Sequence, residues 1–292
     1  MNTKATIVTI AKNEESLPEW CRYHLDCMGF DRIVLFDDGG NPPVEDTRVE
    51  RYPVEDVLTK FTYPLPIPKQ MACYYWFTRA ISDHEDYALF IDADEVFAGN
   101  KTVKEFLAER KDEVCDYALP WCFATSEEEP GVPQGLTIQR FLHRKKLTDK
   151  HIKSMLFMPQ YRYRDVLFPC PHCIADWRSK EMLPWFDPFK NMGYGPFLDK
   201  TYEVDGSFPY ILHYWCKSRR EFDQKISRGR PDCPPDSPYQ YERIRDEMEQ
   251  LWLERSVGDV FDASTAARLK QLETNSTQDT FSSMTQKMEQ PE

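Results

Sequence analysis

The stretch YALFIDADEVF, residues 87–97, places Asp92, Asp94 and Glu95 directly after an apolar run. Unpaired carboxylates at the end of a buried strand are costly, so a positive charge should lie close by. Asp92 and Asp94 are two residues apart and point to one side of an extended backbone, where they can hold a hard cation such as Mn²⁺ or Mg²⁺. A solvated turn, with Glu95 starting a helix, explains the same residues. The pattern alone leaves both interpretations open.

Three apolar segments, at residues 5–10, 32–36 and 87–91, predict the strands that position these carboxylates, and helices are predicted at 17–28 and 69–82. The carboxyl ends of parallel strands lie on one edge of a sheet, where open α/β folds bind ligands. Polar residues that follow the three segments should therefore converge there: Asn13 and Glu14, Asp37 and Asp38, and Asp92 to Glu95.

Composition limits the classes of function. The chain has 292 residues, 41% of them hydrophobic, which suffices for one large α/β domain or two small ones. A formal net charge of −12 with scattered basic residues argues against a nucleic-acid partner. No secretion signal and no apolar stretch of membrane-spanning length is apparent. We expect a soluble cytoplasmic protein without a membrane span.

The nine cysteines show no repeating spacing, which favours reduced thiols. Cys170 and Cys173 in CPHC can be a redox pair or half of a zinc site. The sequence has no second pair for a zinc site, and flanking prolines suggest a loop rather than a helix start, so structural thiols are favoured.

Four segments together resemble successive blocks of the GT-A glycosyltransferases grouped as family 2-like and family 92-like. They are VTIAKNEESLPEWCRYHLDCMGFDRIVLFDDG, FIDADEVF, HIKSMLFMP and HYWCKSRREFDQKISRG, within residues 5–230. The resemblance implies a mostly parallel twisted α/β sheet with helices on both faces. It also implies a DXD motif that binds Mn²⁺ or Mg²⁺ and a nucleotide sugar donor, expected to be a UDP-sugar. The implied activity is hexosyl or deoxyhexosyl transfer to a hydroxyl of a glycan or other acceptor, with inversion.

The resemblance carries over to the residues around the nucleoside and the metal. The segment from Thr9 through Ala11 and Asn13 to Glu14 resembles the lining of the nucleoside pocket, and Asp37 the carboxylate that recognises base or ribose. Helix capping by Asn13 and turn formation by DDGG are the alternatives. Asp94 corresponds to the direct metal ligand, Asp92 to a residue that contacts ribose or a metal-bound water, and His213 to a late metal ligand. A core or capping role is the alternative for His213.

Basic residues are needed to meet the diphosphate charge. The candidates are Lys153 in HIKSM and the group Lys217, Lys225 and Arg228, whereas Arg219 and Arg220 are interpreted as a solvated helix face. His172 in CPHC is a weaker candidate for the site. Trp121, Trp177 and Trp185 can stack on a sugar ring, although core packing is favoured for each alone.

An inverting transfer requires one general base that accepts the acceptor proton. By family position the candidate is Asp176 in CIADWRSK, followed by Glu181 and by the loop carboxylates Glu127 to Glu129. The resemblance leaves the identity of the base least defined.

The domain prediction is a catalytic domain at 1–235, a helical C-terminal appendage at 236–273 and a disordered tail at 274–292. Two other functions are alternative interpretations of the same carboxylates. A metal-dependent phosphohydrolase or nucleotidyltransferase would need more metal ligands and would release phosphate without sugar transfer. A glycan-binding scaffold with this fold would bind nucleotide without turnover.

Overall fold

The computed structural model describes residues 3–60, 67–82, 85–162, 166–176, 178–229, 236–272 and 274. Its strands are β1 (Ala5–Ala11), β2 (Arg32–Asp37), β3 (Val49–Pro53), β4 (Tyr87–Phe90), β5 (Glu95–Ala98), β6 (Tyr117–Phe123), β7 (His143–Arg144), β8 (Ile152–Phe157), β9 (Val166–Cys170), β10 (Cys173–Asp176), β11 (Pro184–Phe186), β12 (Met192–Tyr194), β13 (Tyr210–His213) and β14 (Val260–Phe261). Its α-helices are α1 (Leu17–Arg22), α2 (Val54–Lys60), α3 (Lys69–Ala80), α4 (Val103–Ala108), α5 (Thr137–Arg140), α6 (Arg219–Arg228) and α7 (Arg245–Arg255). Residues 264–272 are also helical. Within these ranges, no helix has the length and apolarity that crossing a bilayer requires.

One central sheet organises the molecule, in the strand order β12-β11-β6-β8-β4-β1-β2-β3, and β13 pairs with both β6 and β5. β3, β2, β1 and β4 are parallel neighbours. β8 lies antiparallel between β4 and β6, so β6 points in the same direction as β4, and β13 is parallel to β6. The strands β1, β2, β4, β6 and β13 therefore end at one edge, called here the carboxyl edge, and β8 begins there.

Helices cover both faces of this sheet. Successive side chains of a strand point to opposite faces, and on β1 Ile7 belongs to one apolar cluster while Val8 belongs to the other. The first cluster includes residues of α1 and α4. The second includes residues of α2 and α3. Burial on both faces explains why the strands of the parallel half are continuous apolar runs in the sequence.

The predicted α/β fold, with a mostly parallel sheet and helices on both faces, is confirmed, although β8, β12 and β5 introduce antiparallel pairs.

The helix predicted at 17–28 is α-helical only to Arg22 and continues as a π-helical turn, Tyr23–Cys27. Here the buried ring of His24 approaches the Trp20 carbonyl at 2.9 Å and accepts the Phe97 amide at 3.1 Å, which ties this turn to β5. The C-terminal helix begins at Arg245 rather than near Tyr239. The tail predicted to be disordered lies, apart from residue 274, outside the described residues.

Candidate active site

The turn after β4 closes on itself through Glu95. The Glu95 amide donates to the Asp92 carbonyl at 3.0 Å, and the Glu95 carboxylate accepts the Asp92 amide at 2.8 Å. Glu95 is fully buried, and this burial raises its pKa well above that of a free Glu, although Lys153 opposes the shift. Glu95 thus shapes the turn that presents Asp92 and Asp94 at the carboxyl edge.

Lys153 supplies the positive charge for Asp92. Its ammonium lies 2.6 Å from Asp92 Oδ2 and 3.1 Å from Glu95 Oε2, and the side chain is completely buried. Gln70 donates to the other Asp92 oxygen at 2.6 Å. Burial disfavours both charges, but the pair outweighs it, so the pKa of Asp92 is lowered and that of Lys153 is raised. Because the pKa of Glu95 is raised, Asp92 is the main ionic partner of Lys153.

Asp94 faces different partners. Its Oδ2 is 3.3 Å from Lys225 Nζ, and its Oδ1 is 3.6 Å from His213 Nε2. Burial raises the pKa of Asp94, but Lys225 and His213 outweigh it and hold the pKa well below that of a free Asp. The two aspartates do not point to one side as on an extended strand, because residues 93–94 form a turn that directs them to different lysines.

Asp94 and His213 are the side chains that could hold a divalent cation. His213 and Asp94 approach each other at 3.6 Å, a separation that two ligands of one cation can adopt. The other ring nitrogen, His213 Nδ1, has no hydrogen-bond partner among the described residues. Those residues contain no cluster of three or more His, Cys, Asp or Glu side chains able to hold a metal. Asp94 and His213 therefore fit a cation that takes its remaining ligands from phosphate and water.

A cleft of about 460 Å³ opens beside Asp94, between the β1–α1 loop and α6. Asn13 and Glu14 line one side of it. Basic side chains line the other side: Lys217, Arg220, Lys225 and Arg228. Lys217 contacts Glu14 at 2.7 Å across the cleft, and Arg228 donates to the Lys12 carbonyl at 3.0 Å. Four carboxylates also line the cleft, those of Glu14, Glu15, Asp94 and Glu221, so its charges balance in number. The basic side chains form one wall, which is the part suited to an anionic group.

Local sequence explains how the two lips of the cleft are placed. Ser218 and Glu221 form a capping box at the start of α6, and Gly229 ends the helix with a φ of 76°. Phe222 and Ile226 anchor α6 in the core, which leaves its polar side towards the cleft. Asn13 and Lys217, on opposite lips, both have left-handed backbones, with φ of 51° and 44°.

The predicted nucleoside-binding residues divide into two groups. Asn13 and Glu14 line the cleft, whereas Thr9 and Ala11 are buried within β1. Asp37 ends β2 and accepts from Arg51 Nε at 2.8 Å and from the Gly39 amide at 3.0 Å.

Asn41 links Asp37 to the β1 end. Its side chain donates to Asp37 at 2.5 Å and to the Ala11 carbonyl at 2.8 Å, and it accepts the Glu14 amide at 3.0 Å. Gly40 packs so closely that an added Cβ would lie 1.8 Å from Asn13 Oδ1. The glycine allows the β2 turn and the β1–α1 loop to form one surface.

Three imidazole rings surround Trp121 of β6, near the turn formed by residues 92–95, called here the DADE turn. Its ring contacts those of His213 at 4.5 Å, His172 at 5.0 Å and His151 at 4.9 Å between centroids. Lys153 also lies over this indole at 5.6 Å. His172 Nδ1 donates to the Ile152 carbonyl at 2.9 Å, and burial lowers the pKa of His172 to about 3. The structure thus brings His172 to the site.

The remaining aromatic and cysteine predictions have structural explanations. Trp185 is buried and donates to the Gly195 carbonyl at 2.8 Å, which agrees with core packing, and Trp177 lies outside the described residues. Cys170 and Cys173 flank the tip of the β9–β10 hairpin with their sulfurs 3.2 Å apart. The hydrogen bond with Cys173 lowers the pKa of Cys170 to about 7.

Asp176 and Glu181, predicted as candidates for the general base, lie at the two ends of the turn that follows β10. Asp176 ends β10. Its Oδ1 accepts the amides of Arg178 and Ser179 at 2.9 and 3.0 Å, so it caps a turn. Glu181 is exposed, and its carbonyl accepts the Asp176 amide in the same turn. A role of either residue as general base stays a prediction.

Sequence reasoning missed several residues of the site: Gln70, Asn41, Arg51, Arg220, Asp149 and His151. Gln70 and Arg51 come from neighbouring elements whose contact with the strand ends is not encoded in local spacing. His151 had a usable signal, because it lies two residues before Lys153 and such residues share a face of an extended strand.

Known proteins offer limited comparison. No protein-family model and no curated protein matches this sequence significantly. Among solved structures, the mannosyltransferase Ktr4p from S. cerevisiae aligns over 43% of this chain and 41% of its own, with a TM-score of 0.25 and 11% identity. Its complex with GDP aligns over 43% and 42%, with a TM-score of 0.25 and 10% identity. Core-mannan synthase A from Aspergillus fumigatus, in a Mn/GDP form, aligns over 43% of both chains, with a TM-score of 0.24 and 14% identity.

These alignments span less than half of each mannosyltransferase chain. TM-scores this low do not establish a common fold. The α/β architecture of this protein is accordingly defined by its own strands and helices.

Proposed function

We propose that this protein is a glycosyltransferase that moves a sugar from a nucleoside diphosphate sugar, expected to be a UDP-sugar, to a hydroxyl acceptor. One observation carries the proposal: Asp94 lies where the DADE turn at the carboxyl edge meets a cleft lined by Lys217, Lys225 and Arg228. A diphosphate needs such a cationic wall, and Asn13 and Glu14 at its far side suit a polar nucleoside.

Within this proposal, Asp94 and His213 would hold a divalent cation, and a cation there would offset the charge that develops on the leaving diphosphate. The chain's own residues position the donor. Lys225, now paired with Asp94, and Lys217, now paired with Glu14, would turn to contact phosphate oxygens. Asp37 recognises the ribose or base. Lys153 keeps Asp92 ionised beside the reacting sugar. Inversion follows if the acceptor attacks from the side opposite the diphosphate.

The number of candidate metal ligands distinguishes the proposed glycosyltransferase from a metal-dependent phosphohydrolase. Enzymes that bind catalytic metals through protein ligands alone use three or more side chains, and no such cluster occurs among the described residues. Two ligands suffice when substrate phosphates complete the shell.

The test combines donor binding with metal dependence. Thermal unfolding is followed with UDP-glucose, UDP-galactose and GDP-mannose, each with and without Mn²⁺. A donor present at 100 times its Kd should stabilise the fold by about 2.7 kcal/mol. Asp94→Ala and His213→Ala should remove the Mn²⁺-dependent part of that stabilisation, and Asp94→Ala should also abolish transfer.

The control is Asp112→Ala, which removes an exposed carboxylate outside the cleft and should leave donor stabilisation unchanged. Absence of stabilisation of the unaltered protein by every donor would refute the proposed function. Full Mn²⁺-dependent transfer by the Asp94 variant would refute the metal role alone.

A further inference from the structure

A histidine and an aspartate form a close pair just before β8. Asp149 Oδ1 is 2.5 Å from His151 Nδ1, and the same oxygen accepts the His151 backbone amide at 2.9 Å. The carboxylate therefore fixes the ring, with Nδ1–H donating to it. The lone pair of Nε2 is left on the opposite side of the imidazole, the orientation that a general base requires.

The pair lies at the carboxyl edge. β8 begins where β4 ends, and Lys153, two residues after His151, reaches Asp92 at 2.6 Å. Residue 151 also forms a β-bridge with residue 197, so its backbone is extended. Residues two apart on an extended strand share a face. His151 therefore lies on the same side of the strand as the lysine that holds the DADE turn.

Aromatic rings connect His151 to Asp94 and its neighbours. The imidazole stacks on Trp121 at 4.9 Å, and His213 contacts the same indole at 4.5 Å. Among these groups the His151 side chain is accessible, with 34% of its surface exposed against 5% for His213. Phe197 contacts the His151 ring at 4.6 Å and is half exposed. The buried Trp121 Nε1 has no hydrogen-bond partner in the described part of the chain.

We propose that His151, oriented by Asp149, is the general base that takes the proton of the acceptor hydroxyl, and that Trp121 and Phe197 form the floor under the acceptor sugar. The proposal rests on the proposed function and specifies its acceptor side. The aromatic faces suit the apolar C–H face of a pyranose.

Sugar transfer with His151 as the base forms one C–O bond and breaks another. The acceptor oxygen forms a bond to C1 of the donor sugar while the bond from C1 to the diphosphate oxygen breaks. The electron pair of that bond leaves with the nucleoside diphosphate, and the hydroxyl proton moves to His151 Nε2. The imidazolium then returns the proton to solvent.

Several charged groups face the pair from neighbouring elements. The ring of His172, at the tip of the β9–β10 hairpin, is 6.0 Å from that of His151 between centroids, and its lowered pKa of about 3 keeps it neutral. Arg255, at the end of α7, interacts with Asp149 through space, and Lys153 follows on the same strand. Asp149 is the anion among them, so it stabilises the imidazolium that forms during the reaction.

The experiment compares His151→Ala, His151→Gln and Asp149→Asn with a matched control, His143→Ala. His143 also pairs with a carboxylate, Glu127 at 3.5 Å, but it lies on β7 outside the cluster. Donor affinity is measured by calorimetry with UDP-glucose, UDP-galactose and GDP-mannose in Mn²⁺. Turnover is measured at saturating donor from pH 5 to 9 as release of nucleoside diphosphate.

Both His151 variants should lose roughly 10² to 10⁴-fold in turnover with donor affinity nearly constant. Asp149→Asn should lose less turnover, with donor affinity nearly constant, because the imidazole loses the carboxylate that orients it. The His143 variant should match the unaltered protein in turnover and affinity.

Near-normal turnover of both His151 variants with intact donor binding would overturn this inference alone. Parallel loss of donor affinity and turnover in both variants would assign His151 a structural role and overturn it as well. Failure of the unaltered protein to bind any donor would instead refute the proposed function and, with it, this inference.

Discussion

Lys153→Met tests whether the buried ammonium stabilises the fold through Asp92. The substitution keeps most of the side-chain volume but leaves Asp92 without its cation at 2.6 Å. Removing one partner of a buried pair costs about 3–5 kcal/mol. Asp92 retains 33% of its side-chain surface, and Glu95 has a raised pKa and can be protonated, so we expect the lower end, about 3 kcal/mol.

The assay is urea unfolding followed by tryptophan fluorescence at pH 7, with thermal unfolding in parallel. A loss of about 3 kcal/mol should lower Tm by roughly 6–10 °C in a protein of this size. A double-mutant cycle with Asp92→Asn should give a coupling energy of about 2 kcal/mol.

The control is Lys146→Met, which removes a lysine 3.2 Å from Glu203, with the two side chains 55% and 61% exposed. An exposed pair of this kind contributes at most about 1 kcal/mol. If Lys153→Met destabilises the protein no more than Lys146→Met does, the electrostatic account of the DADE turn is wrong.

Two further predictions concern stability. Burial raises the pKa of Glu19 from 4.5 to about 7, so stability should fall by about 3 kcal/mol as pH rises through that window. Glu19→Gln should flatten this slope in urea unfolding at pH 5 and 8, and an unchanged slope would contradict it. In Gly193→Ala, the new Cβ would lie 2.2 Å from the buried Trp185 ring, so the loss should be about 1–3 kcal/mol. Gly135→Ala meets nothing closer than 3.5 Å and should be near neutral in the same thermal scan.

The parallel half of the fold could be predicted from the sequence because its strands are buried on both faces. β1, β2 and β4 appear as continuous apolar runs ending in polar residues, and the parallel-sheet rule then places those ends together. Asn13, Glu14, Asp94 and the basic residues of α6 do surround one cleft.

The rest depended on contacts between distant segments. The charge that meets Asp92 comes from Lys153 on an antiparallel strand inserted between β4 and β6, and apolar periodicity does not reveal strand order. The carboxylate of Asp176 accepts two amides of a turn, a contact that the linear position of an acidic residue does not reveal. The helix boundary at Arg22 depended on a side-chain contact of His24 with β5.

The left-handed backbones of Asn13 and Lys217 imply a conflict between local stability and ligand contact. A non-glycine residue in this conformation is strained by about 1 kcal/mol or more, and Asn tolerates it better than Lys. Glycine at position 217 would relieve the strain, but it would also remove an ammonium from the cleft. Selection for thermal stability weighs this strain against the loss of the ion pair between Lys217 and Glu14, whereas selection for ligand binding should retain the lysine. Positions at which the two selections favour different residues would mark the ligand-contacting cleft, even without a structure of a bound ligand.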